Sequence, residues 1–435
     1  MDPLQPITVF WFRRDLRLHD NTGLYNALNT GRKVLTIFIF DDQILSKLNP
    51  DDKRVSFIFQ AILQMNQLLL QHGAAIQIYS GSFEEVFERI ISDFHVETVF
   101  ANHDYEPYSW ERDDKIAKLL KNKGVGFKTF KDQVIFEKDE VLKPNGEPYT
   151  IFTPYSRRWL EKLRTNKPFL PYPSEDYLFN FLKNGTEGPF SLREIGFIET
   201  AGVFRVPQIN ENLLINYDRT RDFPALDSTS KLSVHLRFGT VSVRQMVSKA
   251  MLLNQVWLNE FIWREFFMQI MWHFPNVLNQ AFKAKYQFIK WINNENEFKK
   301  WTIGETGYPL VDAGMRELNA TGFMHNRVRM VTASFLTKHL LVNWQWGEAY
   351  FAEKLLDFEL ASNNGNWQWA AGTGCDAAPY FRIFNPANQV IKFDPNRDYI
   401  KNWVPEYADI NYPEPIVNHD FARMRCLGTY KKSLT

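Results

Sequence analysis

Short runs of β-branched and aromatic residues recur along the first third of the chain, with helix-length segments between them. These runs span residues 7–12, 34–40, 75–80, 98–102 and 127–130. Residues 56–71 carry apolar side chains at helical spacing, and Gly73 follows as a stop signal. Alternating strands and helices predict an α/β domain with a parallel sheet covered on both faces.

Such a sheet binds ligands at the carboxyl ends of its strands, where the strand order reverses. Residues 11–15 and 102–108 are therefore the loops where this domain would hold one. No Gly-x-Gly-x-x-Gly loop follows the first strand, which disfavours a dinucleotide ligand there.

The pattern changes after residue 130. From 131 to 204 the period is lost and proline and glycine accumulate, which is typical of a long connector over the surface. Beyond it, helical spacing dominates in residues 240–253, 257–274, 311–318, 325–341 and 348–358. We therefore expect an α/β domain over residues 1–130, an interdomain connector over 131–204 and an all-helical domain over 205–435.

Composition narrows the class of protein only a little. An apolar content of 45% and an aromatic content of 15% allow a large core in 435 residues. A formal charge of +1 excludes a wholly basic nucleic-acid binder but permits a local basic patch. The only two cysteines, Cys375 and Cys426, exclude a disulfide framework, and no apolar run reaches membrane-spanning length. We expect a reduced, intracellular protein.

Residues 363–386 form the least ordinary segment of the chain. Amides, two indoles and an arginine stand close together there, in what the glycines and asparagines predict to be a turn-rich piece. Trp367 and Trp369 are separated by one residue. Flat aromatic faces beside hydrogen-bonding amides suit a planar heterocycle or a stacked base.

Two predicted helices carry polar groups on faces that would otherwise be core. On the first, i, i+3 and i+4 spacing brings together Trp257, Glu260, Trp263 and Arg264. On the second, one side is formed by Asn326, Arg329, Met330 and Ala333. The alternative for the first helix alone is an exposed Glu260–Arg264 pair with core tryptophans. Because both helices have such a face, we expect the two faces to line one cavity.

Two shorter features point to a phosphate-bearing ligand. Residues 229–233 place hydroxyls and backbone amides just before a helical run, which suits a phosphate, although an N-terminal helix cap is the alternative. Asp357 and Glu359 are predicted to close a helix, where acidic groups oppose the helix dipole. They would then need a partner such as Arg329 or a ligand hydroxyl.

No catalytic triad, nucleophile elbow, Walker loop or metal-ligand spacing is present in the sequence. The chemistry is therefore expected to belong to a cofactor and not to a metal. Trp301, Trp344 and Trp367 come from three segments and are oxidisable enough to relay electrons if they stack near a redox cofactor. The alternative is ordinary core packing.

At the level of whole motifs, the chain resembles the photolyase/cryptochrome family over essentially its full length. It is most similar to class I cyclobutane pyrimidine dimer photolyases. The resemblance is carried by residues 11–21, 260–266, 307–313 and 363–386. It implies a Rossmann-like N-terminal antenna domain and a C-terminal helical domain that holds FAD in a U shape.

The resemblance also implies roles for single residues near the cofactor. Asn363 matches the residue beside flavin N5, and Arg329 with Asp357 matches a salt bridge against the isoalloxazine. The positions that match family residues around the FAD phosphates, ribose and adenine are Tyr217, Thr229, Ser230, Lys231, Leu232, Ser233, Trp257, Arg264, Asp357 and Glu359.

Further positions match the substrate side of the family. The expected pocket for a flipped pyrimidine dimer consists of Glu260, Trp263, Asn326, Arg327, Met330 and Trp369. Arg221 and Arg382 match arginines that contact the DNA backbone. The expected relay that photoreduces the flavin runs outward through Trp367, Trp344 and Trp301, in that order.

The implied activity is that of a deoxyribodipyrimidine photo-lyase, in which excited FADH⁻ donates an electron to the flipped dimer. A cryptochrome-type blue-light receptor and a (6-4) photolyase are the alternatives. Asn326, Asn363 and Trp369 favour dimer repair over both, because the other groups carry different residues there. The implied partner is damaged DNA, without a membrane, and we expect a cytoplasmic monomer that is nucleoid-associated when bound.

One departure from the family concerns a second chromophore. Folate-binding members carry an Asn-Glu pair where this chain has Tyr108 and Ser109. The identity of an antenna chromophore therefore stays open between a deazaflavin, a flavin and none.

Overall fold

A computed structural model describes residues 5–166, 170–183 and 190–434. The strands are β1 (Ile7–Phe12), β2 (Lys33–Asp41), β3 (Gln77–Gly81), β4 (Val96–Asn102) and β5 (Gly126–Phe130). The α-helices are α1 (Thr22–Leu28), α2 (Asp42–Leu45), α3 (Lys53–Leu69), α4 (Phe83–Asp93), α5 (Pro107–Asn122), α6 (Phe152–Asn166), α7 (Glu211–Ile215), α8 (Tyr217–Thr220), α9 (Ser233–Phe238), α10 (Val243–Leu253), α11 (Gln255–His273), α12 (Glu295–Ile303), α13 (Pro309–Thr321), α14 (Asn326–Ser334), α15 (Trp344–Lys354), α16 (Leu360–Ala371), α17 (Pro386–Phe393), α18 (Asp398–Trp403) and α19 (His419–Leu434). Short 3-10 helices span Leu70–His72, Lys138–Glu140, Ser174–Asn180, Leu192–Ile195, Pro275–Leu278 and Ala284–Phe288, and a π-helical turn spans Phe335–His339.

The five predicted strands form one parallel sheet in the order β3-β2-β1-β4-β5. Every residue of β1 is buried, as expected of a central strand with both faces covered. Val9 pairs with Leu35 on one side and with Val99 on the other. The strand order therefore reverses between β1 and β4, which confirms the predicted α/β architecture.

The loops at this reversal point bind one another. Arg13 forms an ion pair with Asp113 at 2.6 Å and donates to the backbone carbonyl of Asn102. The Asn102 amide donates to Asp15 at 2.6 Å. Burial raises the pKa of Asp15, although hydrogen bonds from its neighbours oppose the shift. The polar groups expected to face a ligand here thus bond within the protein.

The described residues divide into two units. The first comprises the described residues within 1–137, 162–209 and 232–250, and the second comprises those within 138–161, 210–231 and 251–435. The boundaries at residues 130 and 204 stay a prediction.

The segment predicted as a connector is more ordered than its sequence pattern indicated. It contains the 15-residue helix α6, whose Trp159 is fully buried and donates to Glu265 at 2.6 Å. Phe181 is also buried and forms a parallel bridge with Val34. The expectation of a purely superficial connector is therefore wrong for these residues, while 167–169 and 184–189 lie outside the described part.

The second unit is helical, as predicted, but two helices end earlier than expected. The segment predicted as a helix over 325–341 is α-helical from Asn326 to Ser334 and continues as a π-helical turn from Phe335 to His339. The segment 348–358 belongs to α15, which ends at Lys354. No described helix is long and apolar enough to cross a membrane.

Candidate active site

A pocket opens between α14, α15 and α16 of the helical unit. It holds about 630 Å³ of empty space, part of which is open solvent. Its apolar wall is formed by Met330, Ala333, Phe351, Leu355, Phe358, Trp367, Trp369 and Ala370. Its polar groups are Asn326, Arg329, Asp357, Glu359, Ser362, Asn363 and Asn366. A planar, largely apolar ligand with a few hydrogen-bonding edges fits this lining.

The unusual segment at residue 363 is not turn-rich, since it lies within helix α16. Its amides find partners inside the fold: Asn364 and Gln368 both donate to the carbonyl of Val277, at 3.2 and 2.9 Å. Gly365 lies against the ring of Phe267, with Cγ only 2.8 Å from where a Cβ would stand. Tertiary packing therefore overrides the turn preference of asparagine and glycine.

Helical geometry separates the two indoles of this segment. Trp367 is 2% exposed, and its ring meets Phe351 edge-on at 4.9 Å. Trp369 is only partly buried. Both line the pocket, but two positions apart on a helix they project in different directions.

The acidic pair at the pocket is placed differently from the prediction. Helix α15 ends at Lys354, so Asp357 lies in the following turn and Glu359 is the N-cap residue of α16. A carboxylate at a helix N-terminus is favoured by the dipole, and the expected conflict does not exist.

Arg329 and Asp357 form the ion pair expected of them, at 2.9 Å. Arg329 also donates to the carbonyl of Met324 at 2.6 Å. The second carboxylate oxygen of Asp357, Oδ1, is buried and has no hydrogen-bond partner among the described residues. An acceptor left open in this way suits a hydroxyl or N–H group of a bound ligand.

Asn363 is fixed by a residue that sequence reasoning missed. Its side-chain amide donates to the carboxylate of Glu348 at 2.8 Å and to the backbone carbonyl of Glu348 at 3.1 Å. Burial raises the pKa of Glu348. With both N–H groups engaged, the Asn363 oxygen remains as an acceptor. Glu348 lies 15 positions away on another helix, and no spacing rule connects the two.

The expectation that α11 and α14 line one cavity is wrong for this pocket, because no α11 residue lines it. Glu260 forms an ion pair with Arg221 and not the i, i+4 pair with Arg264. Trp263 stacks on Phe152, with ring centroids 3.6 Å apart and planes at 3°. Burial raises the pKa of Glu260 despite the neighbouring guanidinium.

Other predicted residues also lie outside the pocket lining. Arg327 bonds to Asp222 at 2.8 Å, and Tyr217 lies beneath the Arg221 guanidinium at 5.5 Å. Trp257 is buried, Arg264 is half-buried and Arg382 is exposed.

The segment Thr229, Ser230, Lys231, Leu232 and Ser233 leads into α9. The N-cap residue of this helix is Leu232, which makes no side-chain capping bond. The capping alternative for the hydroxyls of Thr229 and Ser230 is therefore wrong.

The three predicted relay tryptophans are all buried, and their expected order is wrong. Trp301 was expected to be outermost, yet it is 0% exposed and its ring lies 6.1 Å from that of Trp367. Trp344 is 4% exposed. The outermost tryptophan of such a relay must reach solvent. Trp291 and Trp346 are only partly buried and pack against the same core, so they meet this requirement better than Trp301 does.

Comparison with known proteins is decisive for the family. Residues 8–174 match the family model described as DNA photolyase, and residues 257–411 match the FAD binding domain of DNA photolyase. A deoxyribodipyrimidine photo-lyase of Synechococcus is 34% identical over 98% of this chain and 96% of its own length. That of Escherichia coli is 35% identical over 97% and 98%.

The chain belongs to the DNA photolyase family.

Solved structures of two photolyases and a cryptochrome agree with this chain in fold over at least 98% of its length. A bacterial class III photolyase from Agrobacterium tumefaciens superposes with a TM-score of 0.86 at 31% identity, covering 99% of this chain and 98% of its own. An archaeal photolyase from Sulfolobus tokodaii with two FAD molecules gives 0.80 at 34% identity, covering 98% and 99%. A Synechocystis cryptochrome gives 0.83 at 25% identity, covering 99% and 100%.

The pocket lies wholly inside the photolyase FAD-binding domain, because its lining runs from Asn326 to Ala370. The residues fit an isoalloxazine: an apolar wall, an ion pair, and an amide with a free acceptor. The expectations of the family, of a flavoenzyme and of FAD as cofactor are thereby confirmed. Beyond the motif residues, the lining includes Phe351, Leu355, Phe358 and Ser362, which packing alone selects.

Proposed function

We propose that this photolyase-family enzyme repairs cyclobutane pyrimidine dimers in DNA by light-driven electron transfer. One observation carries the proposal. Residues expected beside the flavin (Arg329, Asp357, Asn363) and residues expected beside the lesion (Asn326, Met330, Trp369) line the same pocket. Electron transfer without a covalent link to the enzyme needs donor and acceptor held side by side, and such a pocket supplies that arrangement.

Bound FAD, in its reduced form FADH⁻, supplies the chemistry by absorbing blue or near-ultraviolet light and lending one electron to the dimer. The side chains of the protein bind the FAD and orient it. Glu348 holds the amide hydrogens of Asn363, so the Asn363 oxygen would be the acceptor for the N5–H of a reduced flavin. The Arg329–Asp357 pair would present its charge to the ring, and the open Asp357 Oδ1 would accept a donor of the ligand. Tyr217, Trp257, Arg264, Glu359 and residues 229–233 are assigned to the remainder of the FAD.

The lesion side uses stacking and hydrogen bonds. Trp263 and Trp369 stack on the extruded bases, and a damaged pair costs less to extrude than an intact one. Glu260, whose pKa is raised by burial, is assigned to hydrogen-bond the bases. Asn326 and Met330, which line the pocket together with Trp369, are assigned to the same lesion.

Arginines neutralise the DNA backbone around the extruded dimer. Arg221, Arg327 and Arg382 carry this task in the proposal. Without DNA, Arg221 forms an ion pair with Glu260, and Arg327 forms one with Asp222. A DNA phosphate that pairs with Arg221 would break its ion pair with Glu260, and Glu260 could then hydrogen-bond the bases.

The relay carries electrons inward to restore the reduced flavin. Trp367 lines the pocket and is the inner station, with Trp301 and Trp344 as neighbours in the same core. The exit is assigned to a part-exposed indole, Trp291 or Trp346, since Trp301 is fully buried.

The proposal is tested by illuminating the reduced protein with three oligonucleotides: one with a cyclobutane dimer, one with a (6-4) photoproduct and one undamaged. Recovery of pyrimidine absorbance only for the cyclobutane dimer, and only in light, is the expected result. Recovery only for the (6-4) product would support the alternative photolyase. No recovery with flavin bound and reduced would leave the cryptochrome-type receptor, whose fold is equally similar.

Two further assignments belong to this proposal. The enzyme acts as a monomer on damaged DNA, and gel filtration with and without the dimer oligonucleotide tests this. A second chromophore harvests light, in the manner indicated by the name of the Sulfolobus tokodaii relative. Extraction of the purified protein and chromatography of its pigments identify that chromophore.

A further inference from the structure

An exposed loop between α16 and α17 presents Arg382 to solvent. The Arg382 side chain makes no hydrogen bond or ion pair within the described part of the chain. The neighbouring Phe381 is 63% exposed. By contrast, Arg221, Arg327 and Arg329 each pair with a carboxylate. An unengaged guanidinium is available to a phosphate without first breaking an ion pair.

The backbone of this loop is held in place although its tip is exposed. The N–H of Arg382 donates to the carbonyl of Pro379 at 2.8 Å and closes a tight turn. The ring of Tyr380 stacks on that of Tyr430, with centroids 5.7 Å apart and planes at 10°. Tyr430 is fully buried and donates to the carbonyl of Ala371 at 2.8 Å.

A buried lysine supplies the remaining anchor. Lys338 lies on the π-helical turn and is 1% exposed, and its Nζ donates to the carbonyl of Arg382 at 2.7 Å. Among the described residues, no carboxylate pairs with the Lys338 ammonium, and the Arg382 carbonyl is its one hydrogen-bond acceptor. Burial lowers the pKa of Lys338 to about 8, which leaves the amine largely charged at neutral pH.

A buried ammonium is an expensive way to fill space. An apolar side chain of similar length would pack there at no desolvation cost. The charged donor does what an apolar group would not: it fixes the direction of the Arg382 carbonyl, and with it the backbone that carries the guanidinium. π-Helical turns interrupt an α-helix at a cost and are frequent at functional sites.

We propose that Lys338 is a positioning residue for DNA binding, which holds Arg382 where a backbone phosphate can reach it. The inference rests on the proposed function, because it takes the ligand of Arg382 to be the DNA backbone. Lys338 itself touches neither the cofactor nor the substrate. Its effect is on affinity for the duplex and not on the photochemistry of a bound dimer.

The test compares wild type with Lys338→Met, which removes the donor and keeps the length of the side chain. Binding to a dimer-containing duplex is measured in the dark at several salt concentrations. The dissociation constant is expected to rise about tenfold, and the salt slope to fall by about one phosphate contact. In the light, KM rises while kcat at saturating DNA does not change.

Variants at Arg382 and elsewhere separate positioning from bulk charge and from folding. Lys338→Met added to Arg382→Gln should weaken binding no further, and Lys338→Gln, which keeps a donor, should restore part of the affinity. The matched control Lys115→Met removes an exposed charge from α5 of the first unit and should bind as wild type does.

Three results would overturn the proposal: unchanged affinity in Lys338→Met, additive losses in the double variant, or loss of flavin absorbance and of thermal stability in both Lys338 variants. Failure of the proposed function is recognised separately. In that case wild type itself shows no repair in light, or Arg382→Gln binds DNA as wild type does.

Discussion

A single methyl group at Gly347 should disturb the inner relay tryptophan. Gly347 lies on α15, and a Cβ built there would stand 2.5 Å from Cζ3 of Trp367 and 2.6 Å from Cδ2 of Leu336. Carbon atoms in proteins rest about 3.5–4.0 Å apart, so the Gly347→Ala variant must move the indole or the helix by about 1 Å. The Trp367 ring is buried but lines the candidate pocket, so a displaced indole would move into the space expected to hold the flavin.

The expected cost follows from this overlap. Overpacking of a filled core costs typically 1–3 kcal/mol, and the higher helix propensity of alanine returns about 1 kcal/mol. We therefore expect Gly347→Ala to lose about 1 kcal/mol of stability and to slow flavin photoreduction. Gly428→Ala is the matched control, because it is also helical and a Cβ built there meets no atom within 4 Å other than its chain neighbours and its own helix backbone.

The assay combines denaturant unfolding with the rate at which light reduces the oxidised flavin in the presence of a thiol. The Gly428→Ala variant should be as stable as wild type or slightly more so, and should photoreduce normally. Equal stability of Gly347→Ala and wild type, together with equal photoreduction, would refute the packing argument. So would an equal loss in both variants.

The other predictions concern the relay, the ion pair and pH. Trp367→Phe should abolish photoreduction of the flavin, while the chemically reduced variant should still repair dimers. Transient absorption measures the first and a repair assay the second. An equal loss of photoreduction and repair would contradict the assignment of Trp367 to the relay. Asp357→Asn should leave Arg329 uncompensated and raise the dissociation constant for FAD at least tenfold, measured by fluorescence of released flavin; undiminished retention would contradict the role of the pair. Burial lowers the pKa values of His235 and His325 to about 4, so the folded state binds fewer protons than the unfolded state between that pH and about 6.5. Stability should therefore fall as the pH drops through this window, and a denaturation midpoint independent of pH there would show that these groups do not contribute.

Regular elements were predictable from period alone, and the sheet is the clearest case. The run 7–12 coincides with β1, and residues 56–71 lie within α3 and the turn after it. Alternation of such elements leaves few arrangements other than a parallel sheet. Gly73 ends the segment with φ +71°, a conformation that favours glycine.

The failures arose where tertiary contacts decide. Composition favoured turns at residue 363, but Asn364 and Gln368 bond to Val277 and allow a helix. Misplacing the end of α15 by four residues reversed the electrostatic meaning of Glu359. The ends of helices are set by local capping and packing, which the spacing of apolar residues along the sequence does not reveal.

Some contacts of the candidate site were likewise predictable from the sequence, and others were not. Family motifs paired Arg329 with Asp357, and the structure contains that pair. They did not indicate Glu348 beside Asn363, because that contact depends on how α15 packs on α16. Nor did they indicate that Trp301 is wholly buried. Packing between helices, which no linear spacing encodes, accounts for each of these.

The central claim is that the pocket between α14 and α16 passes an electron from the excited flavin to a pyrimidine dimer. The fluorescence lifetime of the reduced flavin in the intact protein tests it most directly. Saturating dimer-containing DNA should shorten the lifetime, while undamaged DNA of the same sequence should leave it unchanged. Equal lifetimes with the two DNAs, under conditions where both are bound, would contradict the account.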